Sequence, residues 1–388
     1  MNKICVYAIC KNEEKFVDKW LESMSEADYI VVLDTGSTDN TYNLLKNDSR
    51  VTKVEQKEIN PWRFDVARNE SMKLIPEDTT IFVCTDLDEI LEPGWADVLR
   101  SEWDEKKHKK AWYKYAWSHK EDGSPARVFY YDKIHSKGWK WKYPVHEMLV
   151  LEDEENNIIP DENVLNVFDK IYLHHYPDQE KSRGSYLGLL ELRAKEYKED
   201  WYGLIYLAHE YYYRDKYEKS IEVLNYIMNN YSDKYSGIEQ ASCYLFLGDN
   251  YRKLGKNIDA INSYNKAIEI EPTYREPYLN AAEAYIFLEE YESAILLVNQ
   301  ALSRTYRHYT WLERNDSWAE QPYDLLAISY YYLNKYDKAY ENGVVAVMLN
   351  KDDSRLRNNL LYYEEKFNDI TDDNKAISII INEIKSLL

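Results

Sequence analysis

The sequence lacks the features that mark membrane-spanning, disulfide-bonded and nucleic-acid-binding chains. No apolar run approaches the ~18 residues of a membrane span, and mean hydropathy is -0.68, so no spanning helix is expected. Cysteine is scarce: Cys5, Cys10, Cys84 and Cys243 are the only four. They show no CxxC spacing, which predicts reduced core thiols rather than a disulfide framework. The opening MNKICVYAICKNEE has no basic n-region, apolar h-region or small-residue cleavage site, and a cytoplasmic location is the expectation. Positive charge is in deficit, with Lys+Arg 49 against Asp+Glu 69 and a formal net charge of -20. A polyanion would meet repulsion everywhere except at one basic run, EKKHKK at 105–110, read as a solvated turn, so nucleic acid is disfavoured as a partner.

What is present is enough chain for two domains: 388 residues, 45% of them hydrophobic. Tyrosine is abundant, at 38 residues, and concentrated after position 200, so the two halves are built differently. The first half alternates β-branched runs with amphipathic stretches. ICVYAI, YIVVL, VTKVEQ and TIFVC alternate with KFVDKWLESM, TYNLLKND and ARNESMKLI. That alternation predicts a mostly parallel, doubly wound α/β sheet, with ligands held outside the carboxyl ends of its strands. From residue 111, AWYKYAW, ARVFYY and WKWKYPVHEML predict a mixed or antiparallel extension. After the acidic loop EDEENN comes another strand, NVFDKIYLHHY. This domain is expected to span 1–180.

Beyond it the pattern is helical and repetitive. Leu207, Ala208, Tyr211, Tyr217, Ser220 and Leu224 are echoed by Leu247, Gly248, Tyr251, Ala260, Tyr264, Ala267 and Pro272. Tyr278, Ala282, Tyr285, Tyr291, Ala294 and Ala301 follow, then Tyr323, Ala327, Tyr330, Tyr336, Ala339 and Ala346. This is the tetratricopeptide pattern, in which small residues let paired helices approach while aromatics fill the holes between pairs. It predicts an all-α repeat solenoid of about four copies over 181–352, with capping helices over 353–388. Spacings of 40, 34 and 45 residues place insertions at the first and third junctions, TYRHYTWLERNDSW being the longer.

The chemistry centres on FVCTDLDEIL, residues 82–91. Residues i and i+2 of an extended chain point the same way, so Asp86 and Asp88 can converge on one hard cation such as Mg²⁺ or Mn²⁺. The alternative is a solvated turn with acids at a helix start, and Glu89 is read as starting the next helix. Similarly, Thr35 to Asp39 fit a helix-capping turn as well as a nucleotide contact.

AICKNEE, VVLDTGSTDNT, WRFDVARN and CTDLDE occur in that order. Together they resemble the family 2 glycosyltransferases of GT-A fold, in particular a bacterial subgroup fused to tetratricopeptide repeats. The resemblance implies a nucleotide-diphosphate-sugar donor, a UDP-sugar foremost, a Mn²⁺ or Mg²⁺ cofactor and inversion at the anomeric carbon. Ile9, Asn12 and Glu13 would then form the first nucleotide loop, Asp34, Gly36 and Ser37 the cradle for base and ribose. Arg68 would reach the nucleotide or its phosphates, and Asp86 would hold the donor. Asp88, with Asp86 and His174, would be the metal ligands, His146 and His175 being alternates, and Glu147 the catalytic base. Relatives often carry two adjacent acids where this chain has Asp34-Thr35, and an xED element where it has His146-Glu147. The acceptor is expected to be protein, peptide or glycan, held by a Tyr-rich repeat surface, and the repeats also suit a homodimer contact. Two other readings remain: a scaffold with a relict transferase domain, and a transferase acting on modified DNA bases.

Overall fold

The computed structural model describes residues 2–120, 122–155, 157–178, 184–235 and 237–371. The chain divides into two compact units, Met1–Gly203 and Leu204–Leu388.

The first unit follows the alternation of its sequence. In order come β1 (Ile4–Cys10), α1 (Val17–Met24), β2 (Tyr29–Asp34), α2 (Thr41–Asn47), β3 (Lys53–Gln56), α3 (Phe64–Met72) and β4 (Ile81–Cys84). β5 (Glu89–Leu91), α4 (Trp95–Glu102), β6 (Lys110–His119) and β7 (Pro125–His135) follow. β8 (Lys140–Lys142), β9 (Met148–Glu152), β10 (Ile158–Ile159), β11 (Val164–Asn166), β12 (Tyr172–His175) and α5 (Tyr186–Glu196) complete it. The main sheet has the order β3-β2-β1-β4-β7-β6-β12-β5, with β11 beside β6. β1 to β4 pair in parallel, and β7 joins antiparallel to β4 and β6. β1 is buried along its whole length, as the core strand of a covered parallel sheet must be. Ile9 packs into that core beside Tyr7, Val31 and Leu33.

Three local readings are corrected. Glu89 begins β5 rather than a helix. NVFDKIYLHHY is not one strand: β11 ends at Asn166, and β12 begins at Tyr172. Lys110 is not a solvated lysine of the basic run; it is buried between Asp132 and Asp161, at 2.6 and 2.7 Å.

The position at which the sequence places the domain end, residue 180, lies outside the described residues, and the first unit continues to Gly203. α5 belongs to it through Arg193, which is fully buried. Its guanidinium donates to the carbonyls of Val145 and His146, at 3.0 and 2.8 Å, and to Asp200 at 2.6 Å. These bonds fix the turn that leads into Glu147.

The second unit, which begins within the first turn of α6, is a stack of helical hairpins. α6 (Trp201–Tyr213) pairs with α7 (Tyr217–Tyr231), α8 (Ile238–Lys253) with α9 (Asn257–Ile270), and α10 (Glu276–Phe287) with α11 (Tyr291–Leu302). α12 (Gln321–Tyr332) pairs with α13 (Tyr336–Leu349), and α14 (Ser354–Thr371) packs on α13 through Tyr363 and Phe367. The second capping segment, NKAISIIINEIKSLL, lies outside the described residues. Each hairpin turns through one residue of positive φ, two before its second helix: Asp215, Gly255, Glu289 and Asn334. Their spacing reproduces the 40, 34 and 45 residues of the sequence repeat.

Gly248 shows why a small residue is needed where paired helices cross. A Cβ there would stand 2.4 Å from the Tyr264 ring, which is itself fully buried and anchored by a 2.7 Å bond from its hydroxyl to Asp249. The ring cannot yield without breaking that bond. Gly248→Ala is therefore expected to destabilise the repeats by about 1–3 kcal/mol, read as a lower urea midpoint for the loss of helical circular dichroism. An unchanged midpoint would show that α8 and α9 have slack.

Candidate functional site

The parallel register sets the place. Cys10 lies opposite Asp34, and Tyr7 opposite Cys84, so the polar segments that follow β1, β2 and β4 leave the sheet at one edge. The first two are laced together. Asn12, at φ 54, donates its amide to Ser37 Oγ at 2.9 Å and accepts from the Thr38 amide at 2.7 Å. The Glu13 amide donates to Thr41 Oγ1 at 2.8 Å. Gly36 sits at φ +105, where a side chain would be strained.

Asp34 organises this loop from within. Fully buried, its Oδ1 accepts from the Gly36 and Ser37 amides, at 2.9 and 2.8 Å, and from Gln56 at 3.0 Å. Burial would raise its pKa, but the Ser37, Gln56 and Gly36 hydrogen bonds outweigh it and hold the carboxyl below its ordinary value. One carboxylate oxygen is thus committed to loop shape, leaving Asn12, Glu13, Gly36 and Ser37 as the more accessible members.

The acids after β4 take separate roles. Asp86 accepts a bidentate pair from Arg68 Nη1 and Nη2, at 2.9 and 3.0 Å, and a third bond from Lys133 Nζ at 3.2 Å. Burial opposes its ionisation, yet the charges of Arg68 and Lys133 prevail and keep it well below the usual carboxylate range. Arg68, on α3, is buried. It also donates Nε to Glu147 Oε1 at 2.5 Å and Nη1 to Cys84 Sγ at 3.3 Å, and it lies over the Trp141 ring. The expected base and the expected donor-holding acid are therefore brought together by one guanidinium, whose three nitrogens are all engaged by protein groups.

Asp88 points elsewhere. Its Oδ2 is 3.3 Å from His175 Nε2. The other ring nitrogen, Nδ1, is 3.0 Å from the Trp117 carbonyl and donates to it, leaving Nε2 to face the carboxylate. Burial lowers the His175 pKa, but the Asp88 hydrogen bond and the Asp88 and Glu89 charges raise it overall. His174, one residue earlier on β12, projects to the opposite side of the strand. Its nitrogens meet Glu92 Oε1 at 3.0 Å and His119 Nε2 at 2.9 Å. It is thus His175, not His174, that the fold brings to Asp88. His146, at φ 47 in a turn, packs its ring edge-on against Tyr186.

One residue at this site, Lys133, was not singled out in the sequence, and another, Glu89, was read there only as a helix start. Lys133 is buried and also lies 3.7 Å from Glu89. Burial would lower its pKa, but Asp86 and Glu89 raise it, so it stays charged. Glu89, 1% exposed, accepts from the Asp86 amide at 2.9 Å and from Tyr115 Oη at 3.1 Å. Burial raises its pKa, with Lys133 opposing. A signal for Lys133 exists: it shares strand parity with Phe129 and Tyr131, and a charge in an inward-facing series calls for a buried partner.

Among the described residues no group of three or more His, Cys, Asp or Glu side chains is arranged to hold a metal ion. Asp88 and His175 do fit as two protein donors of the mixed oxygen–nitrogen kind that Mn²⁺ accepts, with phosphate or water oxygens completing the shell. Asp86 does not fit that set, because both its oxygens face cations. Four carboxylates, Asp86, Asp88, Glu89 and Glu147, stand against two cations, Arg68 and Lys133. A diphosphate would meet net negative charge here unless a cation came with it.

Residues 5–154 match the glycosyl transferase family 2 profile, and residues 248–286 match a TPR repeat profile. No curated protein matches the chain. Several solved structures are similar to parts of it. A thermophilic TPR protein of Thermus thermophilus is 20% identical over 47% of this chain and 88% of that one, with a TM-score of 0.36. A tetratricopeptide repeat protein from Parabacteroides merdae is 14% identical over 47% and 66%, with a TM-score of 0.38. The first TPR of Spaghetti (RPAP3), bound to an HSP90 peptide, is 22% identical over 34% and 98%, with a TM-score of 0.29.

Proposed function

Because the chain joins a family 2 glycosyltransferase domain to tetratricopeptide repeats, we propose that it transfers a sugar, with inversion, from a nucleotide-diphosphate sugar, a UDP-sugar foremost, to a protein, peptide or glycan acceptor. The observation that carries the reading is the 3.3 Å Asp88–His175 pair at the strand ends, next to an Asp86 already neutralised by Arg68 and Lys133.

Asn12, Glu13, Gly36 and Ser37 line the nucleotide side, on a loop that Asp34 shapes. Asp88 and His175 are the residues that would hold Mn²⁺ or Mg²⁺, and the ion would supply charge neutralisation for a departing diphosphate. Asp86 takes a different part from the donor contact expected of it: with Glu89 bonded to its amide, it fixes Arg68 and Lys133. Glu147 is the base. Arg68 fixes its Oε1, which orients the carboxylate toward an acceptor hydroxyl or thiol. As the acceptor atom attacks the anomeric carbon, its proton passes to Glu147, and the bond from that carbon to the phosphate oxygen breaks on the opposite face. The nucleoside diphosphate leaves with the bonding pair. The repeats serve acceptor recruitment, and a homodimer contact through them belongs to the same proposal.

The test is release of free nucleoside diphosphate from a panel of NDP-sugars with Mn²⁺ present or chelated. Metal-dependent release from one donor is the expected result. No release from any donor, with or without candidate acceptors, would contradict the reading and favour a non-catalytic scaffold.

A further inference from the structure

The segment joining the third and fourth hairpins, residues 303–320, is far longer than the equivalent link between α9 and α10, residues 271–275. It does not loop away into solvent. It lies as a strap against the first helix of every hairpin, and three side chains anchor it. Trp311 stacks on Tyr206 of α6 at 4.5 Å, with 14° between the rings, and meets His209 edge-on. Leu312 enters the apolar cluster formed by Ile238, Ala241 and Leu245 of α8, and its carbonyl accepts from Tyr274 Oη at 3.0 Å. Arg314 donates its amide to Glu276 Oε1 of α10 at 2.6 Å, and its guanidinium to Asn280 Oδ1 and Gln321 Oε1, at 2.9 and 3.2 Å.

The remainder is a self-closed loop applied to that face. Glu313 turns back to accept the His308 and Tyr309 amides, at 3.1 and 2.6 Å. Of residues 303–320 only Leu312, Glu313 and Ser317 are buried, and apart from one 3₁₀ turn at Asp316–Trp318 the backbone is irregular. The receiving face is different in kind. Glu276 is fully buried, its Oε1 accepts the Arg314 amide of the strap, its Oε2 has no hydrogen-bond partner among the described residues, and the cations near it are Arg314 and, at the start of α10, Arg275. A buried acid and a buried asparagine on one helix face that take their hydrogen bonds from an irregular segment mark that face as one built to receive a chain segment rather than as apolar core.

We propose that this face of the repeats is a binding site for a segment that presents an aromatic–leucine pair and, two residues after the aromatic's neighbour, an arginine, and that the strap fills it in cis as its own ligand. A partner segment of that chemistry reaches the face only by displacing the strap. The proposal is independent of the transferase reading, since every residue it uses lies in the second unit.

The experiment uses the full chain with 303–320 replaced by a five-residue link of the α9–α10 kind, and a fluorescent synthetic peptide of residues 303–320 as the probe. The shortened chain, checked for helical content, should bind the peptide. The unaltered chain should bind it at least about 100-fold more weakly, because the tethered strap competes at an effective concentration in the millimolar range. A peptide carrying Arg314→Ala should bind the shortened chain about tenfold more weakly or worse. Equal binding by both chains, or no binding by a folded shortened chain, overturns the proposal. If the shortened chain does not fold, hydrogen exchange on the unaltered chain decides. Strap amides that exchange while α8 and α10 stay protected support it, and strap amides that exchange only together with those helices overturn it.

Discussion

Arg68→Ala is expected to destabilise the first unit by about 3–5 kcal/mol, because it takes the cationic partner from the largely buried Glu147 and one of two from Asp86. The guanidinium makes two bonds to Asp86, one to Glu147 and one to Cys84 Sγ, and it is 3% exposed. Lys133 would remain beside Asp86 at 3.2 Å, so Glu147 loses the more. Arg68→Lys should recover only part of the loss, since one ammonium cannot reproduce a fork that spans two carboxylates. Chemical denaturation followed by tryptophan fluorescence measures both variants. A loss below about 1 kcal/mol, the range of an exposed ion pair, would show that water or rearrangement compensates the two acids.

Asp88→Ala is expected to lower the rate of nucleotide release by roughly 10²–10³-fold, the usual cost of removing one preorganised group that stabilises developing charge. Its stability should change far less than that of Arg68→Ala. Among the described residues the Asp88 carboxylate is paired with His175, whereas Asp86 is held by two cations. The pair of variants therefore separates structure from chemistry at adjacent acids. If Asp88→Ala retained full release while Asp86→Ala lost it without unfolding, the roles assigned to the two acids would have to be exchanged.

Much of this was legible in the sequence. Alternating apolar runs give the parallel strands β1 to β4, and the polar segments after them fall at one edge because parallel strands with right-handed crossovers deliver their carboxyl ends together. The repeat spacing of 40, 34 and 45 residues is the spacing of the four positive-φ turn residues. The histidine, in contrast, was a matter of strand parity. His174 and His175 are adjacent, and which one faces Asp88 depends on the pairing of His174 with Ile90 and His175 with Glu89, a register that no local pattern specifies. Arg68 was legible as a site residue but not in its role, since its bonds run to residues 16, 18 and 79 positions away. The 45-residue spacing announced an insertion, but the return of Trp311 to Tyr206 across the hairpins is a tertiary event with no local signature.

The most direct measurement of the central claim is Mn²⁺ binding in the presence of UDP, read by the loss of the free-ion electron paramagnetic resonance signal, for the unaltered chain, His175→Ala and His174→Ala. The account predicts tight binding by the unaltered chain and by His174→Ala, with binding weakened by about 10- to 100-fold or more in His175→Ala. Binding lost in His174→Ala and kept in His175→Ala, or equal in all three, would contradict it.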